Sequence, residues 1–166
     1  MAALTLLLVA ASAACGSCSR AAAKESYGAT LYRRDCSTCH GLDGRGRHAA
    51  CPPLAGHAPA LVSVPGGREY LVRVPLFGVA GAIEVAGMRY DGTMTSLDFR
   101  RDAELAAILN HVLTAWGNDR LLPPLHRPIG EGEIAAARRE QRSAAQVRSL
   151  RPAVVLCSVG IGEWRD

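Results

Sequence analysis

The chain has 166 residues, enough for one compact domain with appendages and too few for two ordinary domains. Its net charge of +4 rests almost wholly on arginine, with Lys24 the single lysine, and no basic run with interleaved aromatics occurs, so nucleic-acid binding is not indicated. The 49% hydrophobic fraction is padded by alanine and includes only two Phe, two Trp and four Tyr, so a core made of side chains alone would be thin and a buried flat apolar group would thicken it.

Residues 1–14 carry no charge and hold an apolar stretch at Leu4–Val9. That stretch is too short to span a bilayer as a helix and fits the apolar part of an export signal, although the usual basic residue at the start is missing. Ala11-Ser12-Ala13 suits ordinary signal cleavage, whereas Ser12-Ala13-Ala14-Cys15 resembles a bacterial lipobox with Ser where Leu is usual. In the second reading Cys15 is lipidated and attaches the chain to a membrane. Either way the expectation is an exported, periplasmic protein, with residues 15–24 as a tether. In such an oxidising compartment Cys51 and Cys157 are candidates for a disulfide, and Cys18 is a further thiol without an assigned fate.

Beyond the tether, helix-compatible residues run from about Glu25 to Cys39, where Gly28 weakens the helix but permits close approach of another backbone. Residues 41–67 are rich in Gly and Pro and read as a long irregular segment, a kind of loop that is usually functional. A short helix is expected over Arg68–Val74, ended by Pro75. Glycines punctuate residues 78–96, with Ile83-Glu84-Val85 as a brief extended piece. The clearest helix follows: Leu105, Ile108, Leu109, Val112, Leu113 and Trp116 share one face, Asp102 is a cap or first-turn acid, and Gly117-Asn118 terminates it. After a Pro-rich bridge, one more helix is expected from about Gly132 to Val147. Its apolar face is narrow, so it should pack shallowly.

Chemistry concentrates at Cys36-Ser37-Thr38-Cys39-His40. Cys-x-x-Cys-His is the attachment pattern of haem c: two thiols on one helical turn reach the two vinyl groups of the porphyrin, and the next residue offers an imidazole to the iron. A thioredoxin-type pair would need a βαβ setting, which the Gly/Pro-rich surroundings do not supply. A zinc site would need two further ligands at similar spacing; Cys51 and His57 are the nearest candidates, irregularly placed. Methionine as a sixth ligand raises the potential and suits electron transfer. Met94 is favoured over Met88 for this role because it lies in a loop just before the strong helix, whereas Met88 is expected to pack. His111 lies off the apolar stripe and is expected at the surface, and His48, His57 and His126 are weaker candidates.

These features resemble the class I cytochrome c family over about Tyr27 to Asn118: Cys36-Ser-Thr-Cys-His40-Gly41, Gly44-x-Gly46, Pro52-Pro53-Leu54-Ala55-Gly56, Ile83-x-Val85-x-Gly87-x-x-Tyr90-x-Gly92-x-Met94, and Glu104 to Val112 with Trp116-Gly117-Asn118. The later segments look most like cytochrome domains attached to bacterial quinoprotein or membrane-bound dehydrogenases. The resemblance implies an all-α fold at residues 25–118, a small helical domain wrapped around one covalent haem c, with a helical extension at 119–166. It also implies Cys36 and Cys39 as thioether attachments and His40 and Met94 as axial ligands. A carbonyl of the Pro52-Pro53 segment would receive the second imidazole N–H of His40, Pro53 is expected among the cofactor-binding residues, and Trp116 would pack where the N- and C-terminal helices meet. Thr95 stands where the family usually has Pro, and Pro75 interrupts a stretch that is usually an unbroken helix.

The function so implied is single-electron transfer in a periplasmic or membrane-associated respiratory chain, without chemistry on a substrate. Partners would be a dehydrogenase, a quinol-oxidising complex or a terminal oxidase. The alternative is a haem enzyme or sensor whose sixth position opens to peroxide or a diatomic gas, and no acid/base pair around a distal pocket is legible in its favour.

Overall fold

The computed structural model describes residues 26–47 and 50–154. The export signal, the Cys15 lipobox, the tether to residue 24, His48 and Cys157 therefore lie outside the described residues.

Helix α1 (Tyr27–Asp35) starts where the Ser26 hydroxyl accepts the Ala29 N–H at 3.2 Å. The single helix expected to reach Cys39 is broken at Cys36, and a second short helix, α2 (Ser37–His40), ends at Gly41 with φ 75°. Two further helices, α3 (His57–Val62) and α4 (Gly67–Phe77), follow; α3 falls inside the segment expected to be irregular. Pro75 lies within the last turn of α4 and does not end it. The missing N–H removes one helical bond, but Leu76 is fully buried and Gly78 closes the helix by donating to Val74, so packing carries the chain two residues further.

The all-α expectation fails at residues 79–94. Strands β1 (Val79–Val85) and β2 (Met88–Met94) form an antiparallel hairpin, pairing Val79 with Met94 and Ile83 with Tyr90. Its two-residue turn has positive φ at both Ala86 (51°) and Gly87 (77°), the geometry whose twist suits a tight hairpin. The expected extended piece at Ile83-Glu84-Val85 lies in β1, but the rest of the hairpin escaped sequence reading because Gly81, Gly92 and scattered polar residues blur the period-two alternation on which strand recognition depends.

Helix α5 (Asp102–Thr114) buries Leu105, Ile108, Leu109, Val112 and Leu113 as its periodicity predicts. Its start is reinforced by Glu104, whose carboxylate accepts the Arg101 N–H at 3.0 Å. The α-helix stops at Thr114, short of Trp116, and continues as a kinked 3₁₀ segment over Ala115–Leu121. Helices α1 and α5 cross in close contact at Gly28, where a Cβ would collide with the Ala107 carbonyl.

The C-terminal extension forms two helices, α6 (Glu131–Arg138) and α7 (Ala144–Ser149), separated by a break that Ser143 recaps by accepting the Gln146 N–H at 3.2 Å. It is not shallowly packed. Ile129, Ile134, Ala137 and Val147 join the same core as α4 and α5. Arginine side chains fasten it: Arg68 holds Glu133 through two 2.8 Å bonds, buried Arg73 holds Glu140 at 2.6 Å, and Arg138 holds Asp102 at 2.8 Å. The sparse apolar face is sufficient because these guanidinium contacts, bidentate at Arg68, fix its orientation.

Candidate functional site

Positions far apart in sequence converge on one largely apolar cavity of about 360 Å³. Cys36, Cys39 and His40 line it, as do Pro53, Leu61 and Leu71, then Met94 at the end of β2, and Ile108, Leu109 and Val112 from the buried face of α5. Met88, at the far end of the same strand, is not among the lining residues, nor are His111 and His126. Hairpin register explains the difference between the methionines: Met94 pairs with Val79 beside the end of α4, whereas Met88 pairs with Val85 next to the turn.

His40 is buried, and its Nδ1 lies 2.9 Å from the Pro52 carbonyl oxygen. With Nδ1 donating there, Nε2 is left as the ring nitrogen able to bind a metal, and the ring is fixed in orientation. Burial lowers the His40 pKa, with the Pro52 hydrogen bond opposing, so the neutral imidazole is favoured. The acceptor within the Pro52-Pro53 segment is thus Pro52, and both prolines border the cavity. The loop sets this choice. Leu54 and Ala55 N–H both donate to Gly44, at 2.7 and 2.9 Å, and Gly46 lies so close to the Cys51 and Pro52 backbone that no side chain fits there.

The thiol of Cys36 is buried and Cys39 is exposed. Burial, then the negative charge of Asp35, pushes Cys36 up to about 12. Cys51 hydrogen-bonds Cys39, and desolvation followed by that neighbour raises its own pKa. Among the described residues no group of three His, Cys, Asp or Glu side chains is arranged to hold a metal ion directly, so the zinc reading through Cys51 and His57 has no support in the geometry.

His111 is not a simple surface residue. It packs against Tyr32 and Trp116, with ring centroids 5.4 and 5.6 Å away, on the side of α1 and α5 removed from the cavity. Tyr32 and Trp116 meet edge to face at 5.0 Å; the Trp116 indole donates to Leu42 and the Tyr32 hydroxyl to Gly41. Trp116 therefore joins the N- and C-terminal helices as the resemblance implied, and it also clamps the end of the Cys-x-x-Cys-His segment.

Two lining residues, Arg151 and Tyr70, were missed as site residues, and a third, His57, was weighed only as a weak metal ligand. Arg151, from the extension, points Nη2 to within 3.2 Å of His57 Nε2 and stands over the Tyr70 ring at 5.6 Å. His57 Nδ1 is buried without a partner, and burial, followed by the Arg151 charge, lowers its pKa to about 4. No local signal marks Arg151, because its neighbours belong to a segment 94 residues from it, at His57. The three give the apolar cavity one polar, cationic rim. A haem is a flat apolar disc with two carboxylates on one edge, and this cavity suits it in both respects: Cys36, Cys39 and His40 on its wall, and a guanidinium for the acidic edge.

The comparisons with known proteins agree. The family profile described as Cytochrome c matches residues 25–116. Cytochrome c-552 of Thermus thermophilus is 41% identical over 127 residues, covering 76% of this chain and 95% of that protein. A second cytochrome c-552, from the Thermus thermophilus strain ATCC 27634, is 40% identical over the same length, covering 84% of it. A more distant relative is the cytochrome c subunit of a quinone alcohol dehydrogenase from Gluconobacter oxydans strain 621H, 27% identical over 97 residues, or 55% of this chain and 19% of that protein. The match extends through the attachment pattern, the hairpin with Met94 and the closing helix, and the chain belongs to the cytochrome c family, whose members carry covalently attached haem c and transfer electrons through it.

Proposed function

We propose that the chain is a single-electron carrier, or an electron-transfer subunit, of a periplasmic or membrane-associated respiratory chain, with its one haem c held by thioethers to Cys36 and Cys39 and ligated by His40 and Met94. The observation that carries this reading is the shared cavity: Met94 lines it together with His40, and Met88 does not. When bound, the haem supplies a one-electron Fe(III)/Fe(II) couple. The protein's own residues do the rest. Pro52 holds the His40 ring, the hairpin carries Met94 to the cavity, and Leu61, Leu71 and the α5 face exclude water. At the polar rim Arg151 would receive a haem carboxylate, with His57 and Tyr70 beside it.

The name of the Gluconobacter relative supports a dehydrogenase as one class of redox partner; a quinol-oxidising complex or terminal oxidase would serve at the other end of the path. Export to the periplasm, with Cys15 lipidated or removed, belongs to the same reading, and mass spectrometry of the mature N-terminus tests it. The ligand assignment is tested by absorption spectroscopy. A reduced pyridine haemochrome of c type is expected, together with a sulfur-to-iron charge-transfer band that is lost in Met94→Ala and kept in Met88→Ala. Survival of the band in Met94→Ala would overturn the assignment and favour the reading with an open sixth position.

A further inference from the structure

Asp35 ends α1 immediately before the first haem-linking cysteine, and it borders the cavity. Its side chain is 7% exposed, an unusual place for a carboxylate beside an apolar cavity. Arg100, from the turn before α5 and itself 17% exposed, donates to Oδ1 at 2.9 Å, while Oδ2 and the Arg100 Nε are buried without partners. The other charges facing the pair are weaker neighbours. Arg34 reaches Oδ1 at 3.2 Å from a position 55% exposed, and the Glu104 carboxylate stands 4.0 Å from Arg100 Nη1. Both members of the pair are felt at the Cys36 sulfur, where the Asp35 charge raises the thiol pKa and Arg100 lowers it.

A charge held in a desolvated wall acts on its surroundings far more strongly than one in water, and salt screens it little. Haem oxidation adds one positive charge beside that wall. We propose that Asp35 and Arg100 are a buried tuning pair for the haem reduction potential, Asp35 favouring the oxidised state and Arg100 favouring the reduced one. The pair acts through space on a group it does not ligate, so it positions charge without taking part in the electron's path. The inference rests on the haem reading above and deepens it, by naming how this chain sets its driving force against a partner.

The test is spectroelectrochemical titration of the haem-loaded full chain. Asp35→Asn is expected to raise the midpoint potential and Arg100→Gln to lower it, by shifts of opposite sign that persist when ionic strength is raised. Arg100→Lys, which keeps the charge, is expected to stay near the parent value, and Arg34→Gln to move the potential less than Arg100→Gln. Should a single variant fold poorly, the neutral double variant Asp35→Asn/Arg100→Gln leaves no buried charge unpaired, and its potential is expected between those of the two singles. Shifts of the same sign, no shift at all, or an Arg100→Lys shift as large as that of Arg100→Gln would overturn the proposal. Failure of the haem reading looks different: the parent and every variant would then lack the haemochrome spectrum.

Discussion

Asn118 is joined to Gly56, 62 residues earlier, by a 2.7 Å hydrogen bond from the Gly56 amide to the Asn118 carboxamide oxygen. The same side chain, wholly buried, donates to Val112 at 2.7 Å and to Leu54 at 3.2 Å. One amide thus ties the loop that bears Pro52 to the end of α5. Asn118→Ala strands the part-buried Gly56 N–H and the Val112 and Leu54 carbonyls, and a loss of about 3 kcal/mol is expected. Chemical unfolding measures it, and a loss below about 1 kcal/mol would contradict the account. Asn118→Asp keeps the acceptor but not the donors, so it should recover only part.

Gly28 offers a test by sign. In an exposed helix interior, Gly→Ala stabilises by about 0.5–1 kcal/mol. Here the added methyl meets the Ala107 carbonyl of α5, backbone that cannot swing aside. Gly28→Ala is expected to destabilise by about 2 kcal/mol, seen as a lower Tm. An unchanged or higher Tm would mean that α1 and α5 stand further apart.

The pH dependence follows from His57. Its pKa in the folded chain is lowered to about 4, by burial first and the Arg151 charge second. In the unfolded chain the ring takes up a proton near the ordinary histidine value of about 6.5. Between these values the unfolded state binds more protons, so stability falls as pH drops through that window, by up to about 3 kcal/mol. Denaturant unfolding at pH 7.5 and pH 4.5 should show the loss, and His57→Gln should flatten it. An identical pH slope in the variant assigns the effect to another group.

Arg138 fixes the extension to the body. Nε reaches Asp102 at 2.8 Å, and Nη1 and Nη2 donate at 2.7 Å to the carbonyls of Asp98 and Arg100. Arg138→Gln is expected to cost about 2 kcal/mol and to open residues 131–154 to limited proteolysis. Arg138→Lys should rescue little, since an ammonium cannot fill the three-way fork. Full rescue by lysine would reduce the contact to simple charge.

How far the fold and site could be read from the sequence depended on how local each signal was. Cys36, Cys39 and His40 announce themselves because thioether attachment needs a fixed spacing on one helical turn, and α5 does so because five buried residues repeat at helical period. Pro52 was legible only as a segment, since which carbonyl faces the imidazole depends on Gly44 and Gly46 closing the loop behind it. Beyond Ile83-Glu84-Val85, the hairpin was hidden by glycines within its strands. Pro75 misled because its local preference yielded to the burial of Leu76. The roles of Arg151, His57 and Asp35 could not be found at all, as they arise from tertiary neighbours that leave no spacing in the chain.

The position of Arg151 carries a consequence for assembly. Synthesis runs from the N-terminus, so the attachment pattern with Cys36, Cys39 and His40 emerges first, Met94 later, and the Arg151 guanidinium after both. Attachment needs only that short early window. A cofactor already tethered there turns the remaining search into an intramolecular one, in which hairpin, α5 and extension close upon a guest that can no longer diffuse away.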